Sequence, residues 1–297
     1  MVRDIWLQRK TNSYPMSNKN LVLAATGNRS ELFLKEWLKH PEKKNFDLCI
    51  LFFHDEIEDQ GRYEGADYFF HLKGFKYIMV KELLTKLRPD FLDKYDYFYL
   101  PDDDISIDTE NISRMFDLTK AFGGWITQAS LSADSYISWK LLRHRKDCFA
   151  RFVGQIEVMA PLFSREAIKT CLPSFDVNRS TWGVDSAWPK LLGYPDNRLI
   201  VFDEIQMIHT RPIGGGELYS KIQSDPHADW EAVARQFGAK KDNFIEYGRL
   251  VKVTDRISPV QRAGVRIGAR LEKIQRAIND YGFMWRVRNK LGMKQPK

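Results

Sequence analysis

The N-terminal half of the chain alternates short apolar runs with segments of helical periodicity. Leu21–Ala25, Asp47–Phe53 and Tyr95–Leu100 have the length and composition of buried strands, and polar residues follow each of them. Helices are predicted between them, one from about Ser30 as its N-cap and one over Val80–Leu87, which stops before a proline. Strands and helices that alternate in this way form a mostly parallel sheet. The predicted fold class is therefore α/β, a Rossmann-type central sheet flanked by helices.

Further elements are predicted downstream of the third strand. A helix from Asp108 or Thr109 to Phe122 comes first, followed by a strand at Trp125–Ala129 and a loop- and helix-rich stretch at Ser130–Arg151. Within Phe152–Arg165 we predict a strand that carries Glu157, and a helix begins near Ser164. The last two elements are a helix at Ser186–Leu192 and a strand at Leu199–Ile208. Gly123-Gly124 breaks the first of these helices.

Polar residues stand directly after the first three strands. In such sheets ligands gather beyond the carboxyl ends of the strands, so the loops that carry Thr26, Arg29, Asp55 and Asp102–Asp104 are expected to converge. Arg29 is suited to neutralise phosphate, and Asp55 is suited to accept hydrogen bonds from a ribose or base. Thr26 joins them as a predicted nucleotide-sugar contact. An ordinary turn or surface role remains open for each residue.

The three carboxylates at Asp102–Asp104 are the strongest chemical signal in the sequence. In an extended chain Asp102 and Asp104 point to one side and Asp103 points elsewhere. Mg²⁺ and Mn²⁺ prefer oxygen ligands and usually retain water and substrate phosphates. The spacing therefore predicts a cation bound by Asp102 and Asp104, with Asp102 and Asp103 contacting a nucleotide diphosphate.

Other interpretations of the acidic cluster stay open. It is compatible with a solvated turn or a helix cap. An EF-hand loop fails, since Ile107 stands where the loop needs glycine and Ser113 where it needs glutamate. A phosphatase of the haloacid dehalogenase type uses Asp-x-Asp-x-Thr after a strand, and Asp102-x-Asp104-x-Ser106 is close to that pattern, although its later acidic motif is not evident.

Two later segments offer candidates for the acceptor side of a reaction. Glu157 lies among apolar residues, and a buried carboxylate needs a partner, which is either an acceptor hydroxyl or a structural amide or arginine. Asp185 lies near the start of a predicted helix, where helix capping alone also accounts for it. Trp182, three residues earlier, is a candidate acceptor contact.

The last predicted strand ends in His209-Thr210-Arg211, followed by a glycine run at residues 214–216. His209 is the predicted third metal ligand, against the common structural role of a single histidine at a strand end. Arg211 is the predicted phosphate contact, and the glycines would let a loop close over the donor.

Composition and charge divide the chain further. A length of 297 residues with 43% hydrophobic content supports one substantial core with an appendage. We predict a polar leader over residues 1–20, a nucleotide-sugar and catalytic domain over 21–220 and a basic helical extension over 221–297. The net charge of +7 is concentrated in residues 256–297, whose apolar spacing predicts an amphipathic helix. That helix either packs on its own domain or contacts an anionic membrane. Nucleic acid is disfavoured as a partner, since no zinc-finger spacing or RNP-like motif accompanies the charge.

The sequence also carries signals about the compartment. No apolar run has the length of a membrane span, and no long apolar segment follows the N-terminal charges. The three cysteines are widely spaced and lie in apolar surroundings in the sequence, a pattern that predicts reduced thiols in the core. The predicted location is cytoplasmic; the membrane-contact alternative for the basic helix would place the protein peripherally at the inner face of the membrane.

Four motifs, in order and at their spacing, resemble the DUF707 family of glycosyltransferase-like proteins from bacteria and plants. They lie within roughly residues 20–212 and read Y-D-Y-F-Y-L-P-D-D-D at Tyr95–Asp104, F-V-G-Q-I-E-V-M-A-P-L-F-S-R at Phe152–Arg165, W-G-V-D at Trp182–Asp185 and V-F-D-E-I-Q-M-I-H at Val201–His209. Plant relatives have a D-E-D form of the acidic cluster, so this chain departs at Asp103 and keeps the flanking pair.

The resemblance implies a type-A glycosyltransferase (GT-A) fold, with Asp102 and Asp104 similar to the metal and donor motif and His209 to a late metal ligand. The implied activity is Mn²⁺- or Mg²⁺-dependent transfer of a sugar from a nucleotide-sugar donor to a glycan or lipid-linked glycan, in surface polysaccharide synthesis. For an inverting reaction, Asp185 is the preferred general base and Glu157 the reserve. The dehalogenase-type phosphatase and a catalytically silent glycan-binding module are the alternatives.

Overall fold

The structure is a computed structural model that describes residues 19–212, 225–240 and 243–252. The chain divides into two compact units, Met1–Val251 and Lys252–Lys297. The predicted domain boundary after residue 220 is thus too early, because a helix at Pro226–Phe237 and a strand at Glu246–Val251 belong to the first unit. The predicted basic helix over 256–297 and the leader before residue 19 lie outside the described residues.

The strands of the first unit form a single mixed sheet with one short side ladder. Their bounds are β1 Asn20–Thr26, β2 Asp47–Phe52, β3 Tyr68–His71, β4 Tyr97–Tyr99, β5 Ile105–Ser106, β6 Ile126–Leu131, β7 Cys148–Val153, β8 Leu162–Ser164, β9 Leu199–His209 and β10 Glu246–Val251. The order across the sheet is β10-β7-β9-β6-β8-β4-β1-β2-β3, and β5 pairs with β9 beside this path.

Most of the strands on this path run in the same direction. β1, β2, β3 and β4 pair in parallel, as do β6 and β9, whereas β7 and β8 run against the rest. β1 and β2 are buried along almost their whole length, as expected for parallel strands covered on both faces. The predicted α/β class with a mostly parallel central sheet is confirmed.

The helices lie between the strands and pack against the sheet. They are α1 Lys76–Glu82, α2 Phe91–Lys94, α3 Thr109–Phe122, α4 Arg165–Cys171, α5 Val184–Leu191 and α6 Pro226–Phe237. The predicted bounds of α3 are confirmed, since the Asp108 carboxylate accepts from the Asn111 amide and Gly123 ends the helix in a left-handed conformation, φ 59°.

Other local predictions were wrong. The helix expected from Ser30 is a single π-helical turn at Phe33–Trp37, and the Ser30 hydroxyl bonds Gly27 and Asp103 instead of capping it. β3, β5, β7 and β10 were not predicted. β7 begins inside the stretch expected to be loop and helix, and it ends at Val153, so Glu157 lies in the connection to β8 and not in a strand.

The core fills the layers on either side of the sheet with aliphatic and aromatic side chains from nearly every strand. Cys49, Cys148 and Cys171 are buried, in line with their apolar sequence context. Among the helices of the described residues, none has the length and apolar character needed to cross a membrane.

Candidate functional site

The acidic cluster follows β4 at the carboxyl edge of the parallel strands and runs directly into β5. β5 pairs antiparallel with the end of β9, placing Ile105 opposite His209. The residue before Ile105 is Asp104, whose backbone carbonyl accepts hydrogen bonds from the Thr210 amide at 3.0 Å and the Thr210 hydroxyl at 2.9 Å. This ladder joins two segments more than 100 residues apart in sequence and sets Asp104 against His209.

The Asp104 carboxylate faces two cationic or basic groups. Its Oδ2 lies 3.4 Å from Nε2 of His209 and 3.6 Å from Nε of Arg211. Burial acts to raise its pKa, but the hydrogen bond and charge of His209, together with the charge of Arg211, hold the pKa of Asp104 below its ordinary value. Burial likewise acts to lower the pKa of His209, and the bond to Asp104 outweighs it and raises that pKa.

The pair formed by Asp104 and His209 fits the requirements of a divalent cation. Nδ1 of His209 lies 3.1 Å from the Tyr136 carbonyl oxygen, an arrangement that makes Nδ1 the donor and leaves Nε2 facing Asp104. Oδ1 of Asp104 is buried without a hydrogen-bond partner anywhere in the described part of the chain. An unpaired buried oxygen costs about 1–3 kcal/mol, and a cation would remove that cost. A bound cation would replace the proton that His209 shares with Asp104.

Asp102, the other predicted ligand, is held in a different way. Its Oδ1 lies 2.6 Å from the ammonium of Lys76, a nearly buried residue at the start of α1. Lys76 also donates to the carbonyl oxygens of Leu100, Val158 and Met159 at 3.2, 2.7 and 3.1 Å. Burial raises the pKa of Asp102 against the effect of Lys76, although its side chain keeps 38% exposure, which lets water moderate that shift. Within residues 19–212, 225–240 and 243–252, no three carboxylate, imidazole or thiolate groups converge as a metal cluster.

Asp103 lies with Asp104 in a turn just before β5 and shares Arg211 with it, so the side-chain alternation predicted for an extended chain does not hold here. It accepts a hydrogen bond from the Ser30 hydroxyl and another from Arg211 at 2.9 Å. Burial raises the pKa of Asp103, opposed by Arg211 and Ser30. Asp103 therefore ties the loop after β1 to the end of β9.

The structure brings the three predicted loops together. The Asn28 amide donates to Nδ1 of His54 at 3.0 Å, which joins the loops after β1 and β2, and Ser30 joins the first of these to the acidic cluster. Thr26 is buried at the end of β1, and its hydroxyl has no hydrogen-bond partner among the described residues. Arg29 is exposed on the same loop. The Asp55 carboxylate turns outward to Lys73 at 2.7 Å and is 97% exposed.

Two further carboxylates, Glu157 and Asp185, are buried on the other side of the site. Burial raises the pKa of Glu157 to about 7, and a hydrogen bond with Ser138 opposes the shift. Oε2 of Glu157 finds no hydrogen-bond partner in the residues that the structure describes. Asp185 accepts from the Val158 amide at 3.3 Å, and burial, reinforced by the charge of Glu157, raises its pKa well above the ordinary value. The two carboxyl groups therefore interact and resist ionisation together.

Trp182 lies just before α5, where Gly183 adopts a left-handed conformation, φ 82°. A Cβ on Gly183 would come within 2.6 Å of the Trp230 Cα of α6, so this close approach requires glycine. The Trp182 ring meets His227 of α6 edge-on at 5.8 Å between centroids. α6, absent from the predicted catalytic domain, thus forms part of the surroundings of Trp182.

The sequence patterns did not indicate three residues of the site. Lys76 follows β3, a strand that was not predicted. Had β3 been predicted, a basic residue just beyond its carboxyl end would have pointed to Lys76. Tyr136 and Ser138 contact His209 and Glu157 from a stretch without any motif, so the sequence held no signal for them.

Comparisons with known proteins bear on the family and on distant structural likeness. TarS 1-349 from S. aureus, solved in complex with UDP-GlcNAc, is similar at a TM-score of 0.45 and 15% identity; the alignment covers 74% of this chain but spans only 65% of TarS 1-349. A structure described as a putative nucleotide-diphospho-sugar transferase from Desulfovibrio desulfuricans G20 is similar at a TM-score of 0.41 and 12% identity, covering 74% of this chain and 98% of that one. No curated protein matches the sequence.

A family model described as "Protein of unknown function (DUF707)" matches residues 1–151. The match contains Tyr95–Asp104 and ends before the three later motifs of the resemblance. Because it spans just over half of the sequence, the chain belongs to the DUF707 family.

Proposed function

We propose that this protein is a metal-dependent glycosyltransferase, which moves a sugar from a nucleotide-sugar donor to a hydroxyl of a glycan or lipid-linked glycan. The observation that carries the proposal is the Asp104 carboxylate, whose Oδ1 is buried and unpaired among the described residues and whose Oδ2 lies 3.4 Å from Nε2 of His209 and 3.6 Å from Nε of Arg211. A role in surface polysaccharide synthesis and a cytoplasmic location at the membrane stay predictions of the family resemblance and of the sequence.

Asp104 and His209 are the residues that would hold Mn²⁺ or Mg²⁺, and Asp102 would join them only on leaving Lys76. When bound, the cation supplies positive charge that stabilises the departing nucleoside diphosphate. Arg211 adds a guanidinium, which matches phosphate oxygens through several donors in a fixed plane. One of these donors, an N–H of Nη2, is hydrogen-bonded to Asp103 in the structure.

The Lys76 ammonium has a positioning role in this proposal. It joins the end of β4, the acidic cluster and the connection between β7 and β8 through a single buried group. It thereby fixes the donor side of the site relative to Glu157. Its charge also compensates Asp102, so that Asp102 and Asp104 can lie side by side without a cation.

For proton transfer from the acceptor hydroxyl, Glu157 is a better general base than Asp185. A general base works best when its pKa lies near the operating pH, and burial brings the pKa of Glu157 to about 7. Burial raises the pKa of Asp185 well above its ordinary value, against the opposing hydrogen bond from the Val158 amide, so Asp185 ionises less readily than an exposed aspartate. We therefore reverse the order that the sequence favoured: Glu157 accepts the proton, and Asp185 is the reserve.

A thermal-shift screen of UDP-, GDP- and CMP-sugars, each with and without Mn²⁺, tests the proposal. We expect one nucleotide class to raise the melting temperature only when Mn²⁺ is present, since ligand binding stabilises the folded state by mass action. Stabilisation by no nucleotide sugar under either condition would contradict the proposal. Release of phosphate from simple phosphate esters without any nucleotide would instead favour the dehalogenase-type alternative.

A further inference from the structure

An aromatic surface lies next to the acceptor side of the site. Trp139 and Phe244 pack with ring centroids 4.6 Å apart and planes at 50°, and Phe244 remains 40% exposed. Tyr136, three residues before Trp139, is 48% exposed. We call these three residues the aromatic shelf. Large rings left in water on a folded protein frequently mark a binding surface.

Short contacts attach the shelf to the residues proposed to carry out the chemistry. The Tyr136 amide donates to the His209 carbonyl at 3.1 Å, and its own carbonyl accepts from the His209 ring. Ser138, beside Trp139, hydrogen-bonds Glu157. The Asn243 amide, beside Phe244, donates to Oε1 of Gln155 at 3.0 Å. The neighbours of both packed rings thus hold the segment that carries Glu157.

The same neighbours contain two oxygens in need of hydrogen-bond donors. Oε2 of Glu157 and Oδ1 of Asn243 are both buried, and neither has a hydrogen-bond partner among the residues that the structure describes. A ligand that stacks on the rings needs a C–H face, because their π-faces carry negative potential, and one that also reaches the two oxygens needs hydroxyl donors. A pyranose ring has both features, whereas a lipid tail has no donors.

We infer that the aromatic shelf is a carbohydrate subsite, on which a sugar ring of the acceptor glycan stacks against Phe244 and Trp139. Its description as the acceptor subsite rests on the proposed function, but the binding of sugar does not. The shelf favours a glycan with pyranose rings over a small-molecule hydroxyl acceptor, since its exposed rings extend the contact beyond the residue that receives the new bond.

Isothermal titration of the full chain with cellotetraose, maltotetraose and chitotetraose, in the absence of any nucleotide, tests this inference. We expect at least one tetrasaccharide to bind, and Phe244→Ala to weaken that binding by about tenfold through loss of a stacked ring. Trp125→Ala is the matched control, because Trp125 is also an exposed ring, 38% exposed, but precedes β6 at the opposite end of the sheet from His209. The control should leave binding unchanged.

Several outcomes would overturn the inference. They are failure of all three tetrasaccharides to bind at millimolar concentration, equal affinity in Phe244→Ala and the parent chain, and shelf-dependent binding of phosphatidylglycerol vesicles in place of sugar. The donor screen separates this result from the proposed function: if Phe244→Ala loses sugar binding while no nucleotide sugar stabilises the protein, the shelf stands and the transferase proposal fails.

Discussion

Asp104 on the donor side and the two carboxylates on the acceptor side are in opposite electrostatic states, and Asp104 differs in this from its neighbours Asp102 and Asp103, whose pKa values burial raises. On the donor side, His209 and Arg211 outweigh burial and keep the pKa of Asp104 low. On the acceptor side, burial dominates and raises the pKa of Glu157 to about 7 and that of Asp185 well above its ordinary value. Burial acts on all three carboxylates, so the difference lies in direct contact: His209 and Arg211 lie against Asp104, whereas the charge of His209 does not outweigh burial at Glu157.

This contrast matches the needs of glycosyl transfer. A cation and a diphosphate require carboxylates that stay ionised, whereas an acceptor hydroxyl requires a base that still binds a proton near neutral pH. Pairs of carboxyl groups whose surroundings push their pKa values apart are typical of sites that divide such roles. The proposed function therefore makes different demands on Asp104, Glu157 and Asp185, which substitution can separate.

The largest effect is expected from Asp104→Asn, which keeps the side-chain volume and removes the ionised oxygen. Transfer from the nucleotide sugar identified in the screen should fall by about 10²–10³-fold, because the charge that opposes the departing diphosphate loses its ligand. Mn²⁺-dependent stabilisation by that donor should disappear as well. Initial rates and melting temperatures across a Mn²⁺ titration measure both effects.

The matched control for that substitution is Asp176→Ala, which removes a half-exposed carboxylate paired with Lys81 on the surface. It should leave the rate and the metal response unchanged. If Asp104→Asn transfers sugar at the parent rate and with the parent Mn²⁺ dependence, the role proposed for Asp104 on the donor side is wrong.

Local signals in the sequence predicted most of the scaffold, whereas the site depends on contacts that only the fold creates. The Asp108 cap, Gly123 and the apolar runs of β1 and β2 act within a few residues, so each was readable in advance. The proximity of Asp104 and His209 needs the register of β5 against β9. The sequence pattern predicted both residues but offered no means of deriving that register.

The missed features share a physical cause. Lys76 resembles a surface lysine in sequence, and its role appears only when three carbonyl groups from distant segments surround it. β10 pairs with β7 at the edge of the sheet and leaves most of its side chains exposed, so no apolar run marks it. Glu157 was predicted as buried on its apolar neighbours, and we propose it in preference to Asp185 as the base on the strength of burial and pKa, which depend on tertiary packing.

A smaller loss of rate is expected from Glu157→Gln, by about 10²-fold, with donor binding retained. In the parent protein kcat/KM should rise with pH up to about 7 and then level off, because the base must be deprotonated, and the variant should lack this rise.

The free energy of unfolding of the parent protein should instead fall over the same pH range. The folded-state pKa of Glu157 is raised from 4.5 to about 7, so ionisation destabilises the fold as pH rises through this window, by roughly 3 kcal/mol above it. Denaturant unfolding at pH 5 and pH 8 checks the sign, and a variant with parent rates and an unchanged pH profile would reject Glu157 as the base.

The smallest effect on rate is expected from Asp185→Asn. Because burial raises the pKa of Asp185 and so favours its neutral form, an amide of the same shape preserves that form and the acceptor for the Val158 amide. Transfer at pH 7 should change by less than about fivefold, which corresponds to about 1 kcal/mol. The raised folded-state pKa of Asp185 makes the parent lose stability as pH rises above the unfolded value of 3.8, so the variant should gain stability relative to the parent with increasing pH. Transfer rates of Asp185→Asn and Glu157→Gln, measured side by side, decide between the two carboxylates. A loss of rate in Asp185→Asn as large as in Glu157→Gln would assign proton removal to Asp185.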